Sequence, residues 1–134
     1  MSEATPIPGT GALTIALTGA AGHAAGSSIG YIVNPEGVPI VITDAVVEST
    51  TSSTGVANLT VGYGATVTAA HDASEIVAAM ALAAAAGTAV QGYDHADAKD
   101  ALAVVPADYY IVACTSASSA GYTGFLHLKY IRAT

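Results

Sequence analysis

The feature that most constrains this chain is a series of short apolar–polar alternations, each closed by Gly, Ser, Thr or Pro. Leu13, Ile15 and Leu17 alternate with Thr14, Ala16 and Thr18. Side chains of a strand point to opposite faces in turn, so this pattern predicts a strand with one buried face. Ala57, Leu59, Val61 and Tyr63 alternate with Asn58, Thr60 and Gly62 in the same way. In 124–132, Leu126, Leu128 and Tyr130 fall on one face, and Phe125, His127, Lys129 and Ile131 on the other. Short apolar runs at 29–33, 101–105 and 109–115 read as further strands. The run 38–47 is apolar on both faces: Ile40, Ile42 and Val46 share one with Asp44, and Val41, Ala45 and Val47 share the other with Thr43. A strand of that kind is covered on two sides.

The breaks between these runs carry turn chemistry. Asn34-Pro35-Glu36-Gly37 offers a preset φ at Pro and tolerance of positive φ at Gly. Ser49 to Gly55 reads as a polar hairpin connection, and 19–28 and 116–121 as Gly/Ala/Ser loops. About seven or eight short strands with such turns predict a mainly β chain, an antiparallel β-sandwich of jelly-roll type. One segment departs from the β pattern. Around residues 74–86 the chain is Ala-rich, with Asp72 or Ser74 as candidate caps and Gly87 beyond the end. A short helix, or a long irregular loop with one short strand, are the two readings there. Residues 1–11, with two prolines and two glycines, read as an extended N-terminal arm, and 12–134 as one sandwich domain.

Composition bears on what surrounds the domain. Only 10% of the residues are charged, while 52% are hydrophobic. Average domains carry roughly 25% charged residues, so much of this surface must be uncharged. Neighbouring copies that cover such a surface keep it soluble, which predicts a homo-oligomer. Three cations oppose ten carboxylates, for a net charge of −7. Nucleic acid and anionic membrane surfaces both require clustered cations, so neither is an expected partner. The start MSEATPIPGTG lacks the basic and apolar regions of a secretory signal. The expectation is a protein made in a cytoplasm, or carried in a particle built there.

Candidates for chemistry are few. His23, His71, His95 and His127 show no metal-ligand spacing, and no cysteine pairs with them. Asp94, His95, Asp97 and Asp100 form an acidic cluster. The glycine that a calcium loop needs is missing, so a solvated turn is the reading. Cys114 lies in an apolar run and reads as a buried hydrophobe. No nucleophile elbow, phosphate loop or dinucleotide glycine pattern occurs. The expectation is a non-enzyme with no catalytic, cofactor-binding or metal residues.

The span from Gly26 to Ile131 resembles small virion proteins of tailed bacteriophages, of the head-decoration or cement type. The residues that carry the resemblance are the N-P-E-G turn at 34–37 with the long strand after it, T-T-S-S-T-G at 50–55 and L-T-V-G at 59–62. Ser74 with Ile76, Ala85 to Gly87, A-D-Y-Y at 107–110 and the ending G-F-L-H-L-K-Y-I at 124–131 add to it. The Ala-rich stretch from Ala78 to Ala86 departs from that pattern. The resemblance implies a non-catalytic protein on the capsid surface, often a trimer, that binds the major capsid protein and stabilises the head. A glycan-binding module of a phage particle is the second reading. It would use as stacking platforms the tyrosines Tyr31, Tyr63, Tyr93, Tyr109, Tyr110, Tyr122 and Tyr130.

Overall fold

The computed structural model describes residues 9–20, 28–51, 53–55, 57–70, 73, 75–82, 90–91 and 103–133. Among the described residues nine strands form: β1 (Thr10–Thr18), β2 (Gly30–Val33), β3 (Ile40–Thr51), β4 (Asn58–Gly64), β5 (Val77–Ala81), β6 (Val90–Gln91), β7 (Val104–Val105), β8 (Tyr110–Thr115) and β9 (Thr123–Arg132). They make two sheets. One has the order β1-β9-β3-β6, with β7 also on β3, and the other the order β2-β8-β4-β5. Every pairing is antiparallel.

The partners reveal the topology. β1 pairs with β9, β2 with β8, β3 with β6 and β4 with β5. The chain is thus a long hairpin whose apex is the β4–β5 connection, rolled so that successive pairs lie in alternate sheets. That is the jelly roll expected from the strand pattern. The two inner faces meet in one core, in which Ile15, Leu17, Ile40, Ile42, Val47, Leu59, Val61, Ile111, Leu126 and Leu128 are buried. The alternations in β1, β4 and β9 hold as predicted, with Phe125 and Ile131 outside and Leu126, Leu128 and Tyr130 inside.

Three expectations are corrected. Ser49 to Gly55 is not a hairpin connection. β3 runs on to Thr51, and the chain then crosses to the other sheet, where β4 pairs with β5 and β8. The faces of β3 also differ from strict alternation. The register with β9 shifts between Ile42 and Asp44. This bulge adds one residue to β3, so Ile40, Ile42, Ala45 and Val47 all enter the core. Val46 moves to the outer face with Val41 and Glu48. Finally, the helix reading fails at 77–81, which is strand β5. Alanine's helix propensity is a weak preference. Against it stand the unpaired edge of β4 and the core, which takes up Ile76, Val77 and Leu82. Ile76 N–H donates to Val61 O at 2.9 Å and Leu82 N–H to Ala57 O at 3.0 Å. The rest of 74–86, apart from 75–82, lies outside the described residues. The extended-arm expectation for 1–11 meets β1 at Thr10, and residues 1–8 lie outside the described set.

The outer face of the β2-β8-β4-β5 sheet is covered by the chain that follows β4. Ala70 and Val67 pack on Val112, Cys114 and Tyr110. Glycine at 62 and 64 permits this. A Cβ at Gly62 would collide with Ala73, and one at Gly64 would lie 2.8 Å from Ala70 N. β8 is therefore buried on both faces, and Cys114 is 1% exposed, as its apolar run suggested.

Candidate assembly interface

The β1-β9-β3 face opposite the core carries no comparable cover among the described residues. Three of the most exposed large apolar side chains lie on this sheet: Phe125 at 38%, Ile131 at 42% and Val104 at 44%. Val41 and Val46 beside them are half-buried, and Ala12 and Ala16 on β1 are exposed. Cross-strand register sets Ala16, Phe125 and Glu48 in one row, and Thr14, His127 and Val46 in the next. Asp44, Glu48 and Lys129 are its charged residues. The face is broad, mostly uncharged and built on paired strands, so it holds its shape before any partner arrives.

Of the four histidines, His127 is the one that the described residues include. Its Nε2 lies 3.0 Å from Glu48 Oε1, and its Nδ1 lies 3.2 Å from Thr14 Oγ1. A carboxylate can only accept, so Nε2 carries a proton and donates to Glu48. With the ring neutral, the Thr14 hydroxyl donates to Nδ1. The ring also stacks on Phe125, at 6.2 Å between centroids and 29° between planes. A hydroxyl, an imidazole and a carboxylate in this order recur in acyl-transfer enzymes, where the imidazole takes the hydroxyl's proton and the carboxylate orients it. Here the three side chains lie on an open sheet face, and among the described residues no concave wall orients a scissile group over Thr14. A shallow depression nearby, lined by Thr10, Gly11, Ala12, Thr43, Lys129, Tyr130 and Ile131, does not include the row. What the three side chains do is fix the ring against Phe125, giving a rigid aromatic platform in mid-face.

His23, His71, His95, Asp94, Asp97 and Asp100 lie outside the described residues. Among the described residues, no three His, Cys, Asp or Glu side chains come together to hold a metal. Of the tyrosines considered as stacking platforms, Tyr122 and Tyr130 are buried, and Tyr63, Tyr109 and Tyr110 are partly so. Tyr31, 56% exposed, sits 6.1 Å from Tyr110 between ring centroids. Tyr93 lies outside the described set.

A second polar centre was not visible in sequence. Glu36, in the N-P-E-G turn, accepts from Arg132 Nε at 2.6 Å and from the Tyr130 hydroxyl at 2.6 Å. Buried Asn34 donates through Nδ2 to the carbonyls of Val38, Val105 and Pro106 at 3.1, 3.2 and 3.1 Å. Its Oδ1 accepts from Glu36 N–H at 2.9 Å. The turn thereby clasps the end of β9 and the β7 segment, bracing the edge of the exposed face. The turn motif was legible, but its partners stand about 70 to 100 residues away in the chain.

No protein-family profile matches the chain, and comparison with curated proteins finds no match in sequence. Among solved structures, a chain in the capsid of Ralstonia phage GP4 superposes on it with a TM-score of 0.58. The two are 22% identical, and the match covers 98% of this chain and 92% of that one. The rolled hairpin is therefore a fold this chain shares with a component of a phage capsid structure.

Proposed function

We propose that this chain is a structural protein of a tailed-bacteriophage virion, and more narrowly a decoration or cement protein seated on the capsid shell. The observation that carries the reading is the fold shared, along nearly the whole of both chains, with a chain of the Ralstonia phage GP4 capsid. The mostly uncharged face of β1, β9 and β3 supports it, since a protein whose work is attachment needs such a surface. In this reading the chain is a homo-oligomer, a trimer, on the outside of a head assembled in the host cytoplasm. Its other partner is the major capsid protein. A protein that binds only the assembled shell shifts the equilibrium toward that shell by mass action. Many weak sites on one particle add through avidity. Catalysis has no part in it.

Quantitative mass spectrometry of purified particles tests the assignment. The expected copy number is of the same order as that of the shell protein. A copy number that fits a single ring would move the chain to a portal, neck or tail. Absence from the particle would overturn the virion reading.

A further inference from the structure

Among the described residues, the outer edge of β1 is unpaired over its first half. In an antiparallel strand the N–H and C=O of one residue point to the same side, and alternate residues point to opposite edges. Two contacts show which residues face away from β9. Thr18 N–H donates to Ile29 O at 2.9 Å. Ala16 O approaches Gly30 so closely that a Cβ there would lie 2.8 Å from it. β1 pairs with β9 from Thr10 to Thr18 without a register shift. Thr10, Ala12 and Thr14 therefore turn their N–H and C=O groups to the same outer edge as Ala16 and Thr18. Among the described residues, none of these backbone groups on Thr10, Ala12 or Thr14 has a partner.

Edge strands are ordinarily guarded against pairing by a charge, a proline, a bulge or short length. β1 is nine residues of sequence TGALTIALT and has none of these. Thr10, Ala12 and Thr14 are exposed, small and uncharged.

We propose that this edge pairs with the same edge of a second copy of the chain, antiparallel about a two-fold axis at Ala12. Thr10 then faces Thr14 of the partner subunit, Ala12 faces Ala12 of the partner subunit, and Thr14 faces Thr10 of the partner subunit. Each pair exchanges both of its backbone hydrogen bonds, and the Thr pairs suit cross-strand positions. The register is bounded at both ends. An axis at Leu13 or beyond would set Thr10 against Ala16 or Thr18 of the partner subunit and drive the second strand into Ile29 and Gly30, which already occupy that edge. An axis before Ala12 would run past the start of β1 at Thr10. Such a contact is self-complementary, as a two-fold interface must be. It joins two β3-β9-β1 sheets into one continuous sheet. It stands apart from the virion reading, and where trimers form through other surfaces it links one trimer to the next.

The test is sedimentation velocity of the full chain over a concentration series. Ala12→Pro removes the N–H that faces outward and leaves the ladder to β9 intact. Ala12→Lys sets like charges across the axis. Each variant should weaken association by about tenfold or more, with an unchanged β-sheet circular dichroism spectrum. Mixing Ala12→Lys with Ala12→Glu should restore it. The wild type carries a net charge of −7, so its own association should strengthen with salt while the neutral edge contact persists. Wild-type mass that the folded Ala12→Lys variant leaves unchanged overturns the proposal. If Ala12→Pro fails to fold, the Lys and Glu pair decides alone. Capsid co-sedimentation of Ala12→Lys separates this contact from shell binding, because the edge can fail while attachment survives.

Discussion

At Asn34 the two amide hydrogens are shared among three backbone carbonyls, and Oδ1 accepts one backbone N–H. Asn34→Ala would leave these groups without their partner in a buried turn. An unsatisfied buried group costs about 1–3 kcal/mol, and chemical denaturation should show a loss of at least that size. The neighbouring Glu36 makes stability depend on pH. Its bonds to Arg132 and then to Tyr130 hold its carboxyl below the ordinary 4.5. A carboxylate held down in the folded state stabilises the fold above its ordinary value. That contribution is lost as pH falls through the depressed one. The Tyr130 hydroxyl is held above its ordinary 10, first by the bond to Glu36 and then by burial. Its contribution is present below pH 10 and is lost as pH rises through the raised value. Glu36→Gln should flatten the thermal midpoint against pH at both ends. A wild-type curve already flat below pH 4.5 would count against this clasp.

Strands β4 and β5 show how an element takes its form from what lies beside it. The segment at 75–82 has the alanines of a helix and the position of an edge strand, and pairing with β4 prevails. The cover over β8 depends on Gly62 in the same sense. Gly62→Val would place a side chain where Ala73 packs. Overpacking of this kind costs about 1–3 kcal/mol, and the cover should lift rather than the sheet part. Cys114 beneath it is the reporter. Its thiol is buried in the wild type, so a thiol reagent should label it slowly there and much faster in Gly62→Val. Equal rates would show that the cover does not rest on β4.

For the whole molecule, the proposed attachment turns on how the mostly uncharged sheet face would meet a capsid. Three cations in the chain cannot build an extended ion-pair network, and exposed pairs contribute only about 0–1 kcal/mol each. Apolar burial contributes about 25 cal/mol per Å², less the costs of association. Binding to capsids should therefore survive about 1 M NaCl, where the Debye length is about 3 Å. It should weaken in Phe125→Ser, which removes the platform that His127 stacks on. Co-sedimentation across a salt series checks both, and release at high salt would mean that charge holds the protein. Deletion of residues 2–8, expected from the sequence to be an arm, belongs in the same series, and it stops there because Thr10 already belongs to β1.

The sequence by itself determined the local terms of this structure. Period-two alternation assigned β1, β4 and β9 with their faces, because side-chain direction in an unbroken strand depends only on position. The Asn34–Gly37 turn was legible for a like reason, because turn chemistry is local. What depended on distant partners was not. The bulge in β3 became visible only against β9, and it exchanged the faces of everything after Thr43. The Ala-rich segment became β5 because β4 offered it unpaired backbone groups and a core to fill. The 49–55 connection crossed between sheets because β4 found its partners in β8 and β5. The clasp of Glu36 on Arg132 and Tyr130, and the row of Thr14, His127 and Glu48, are likewise products of topology. Propensity acts over a few residues, whereas hydrogen-bond satisfaction and core volume are settled only when strands from both ends of the chain lie side by side.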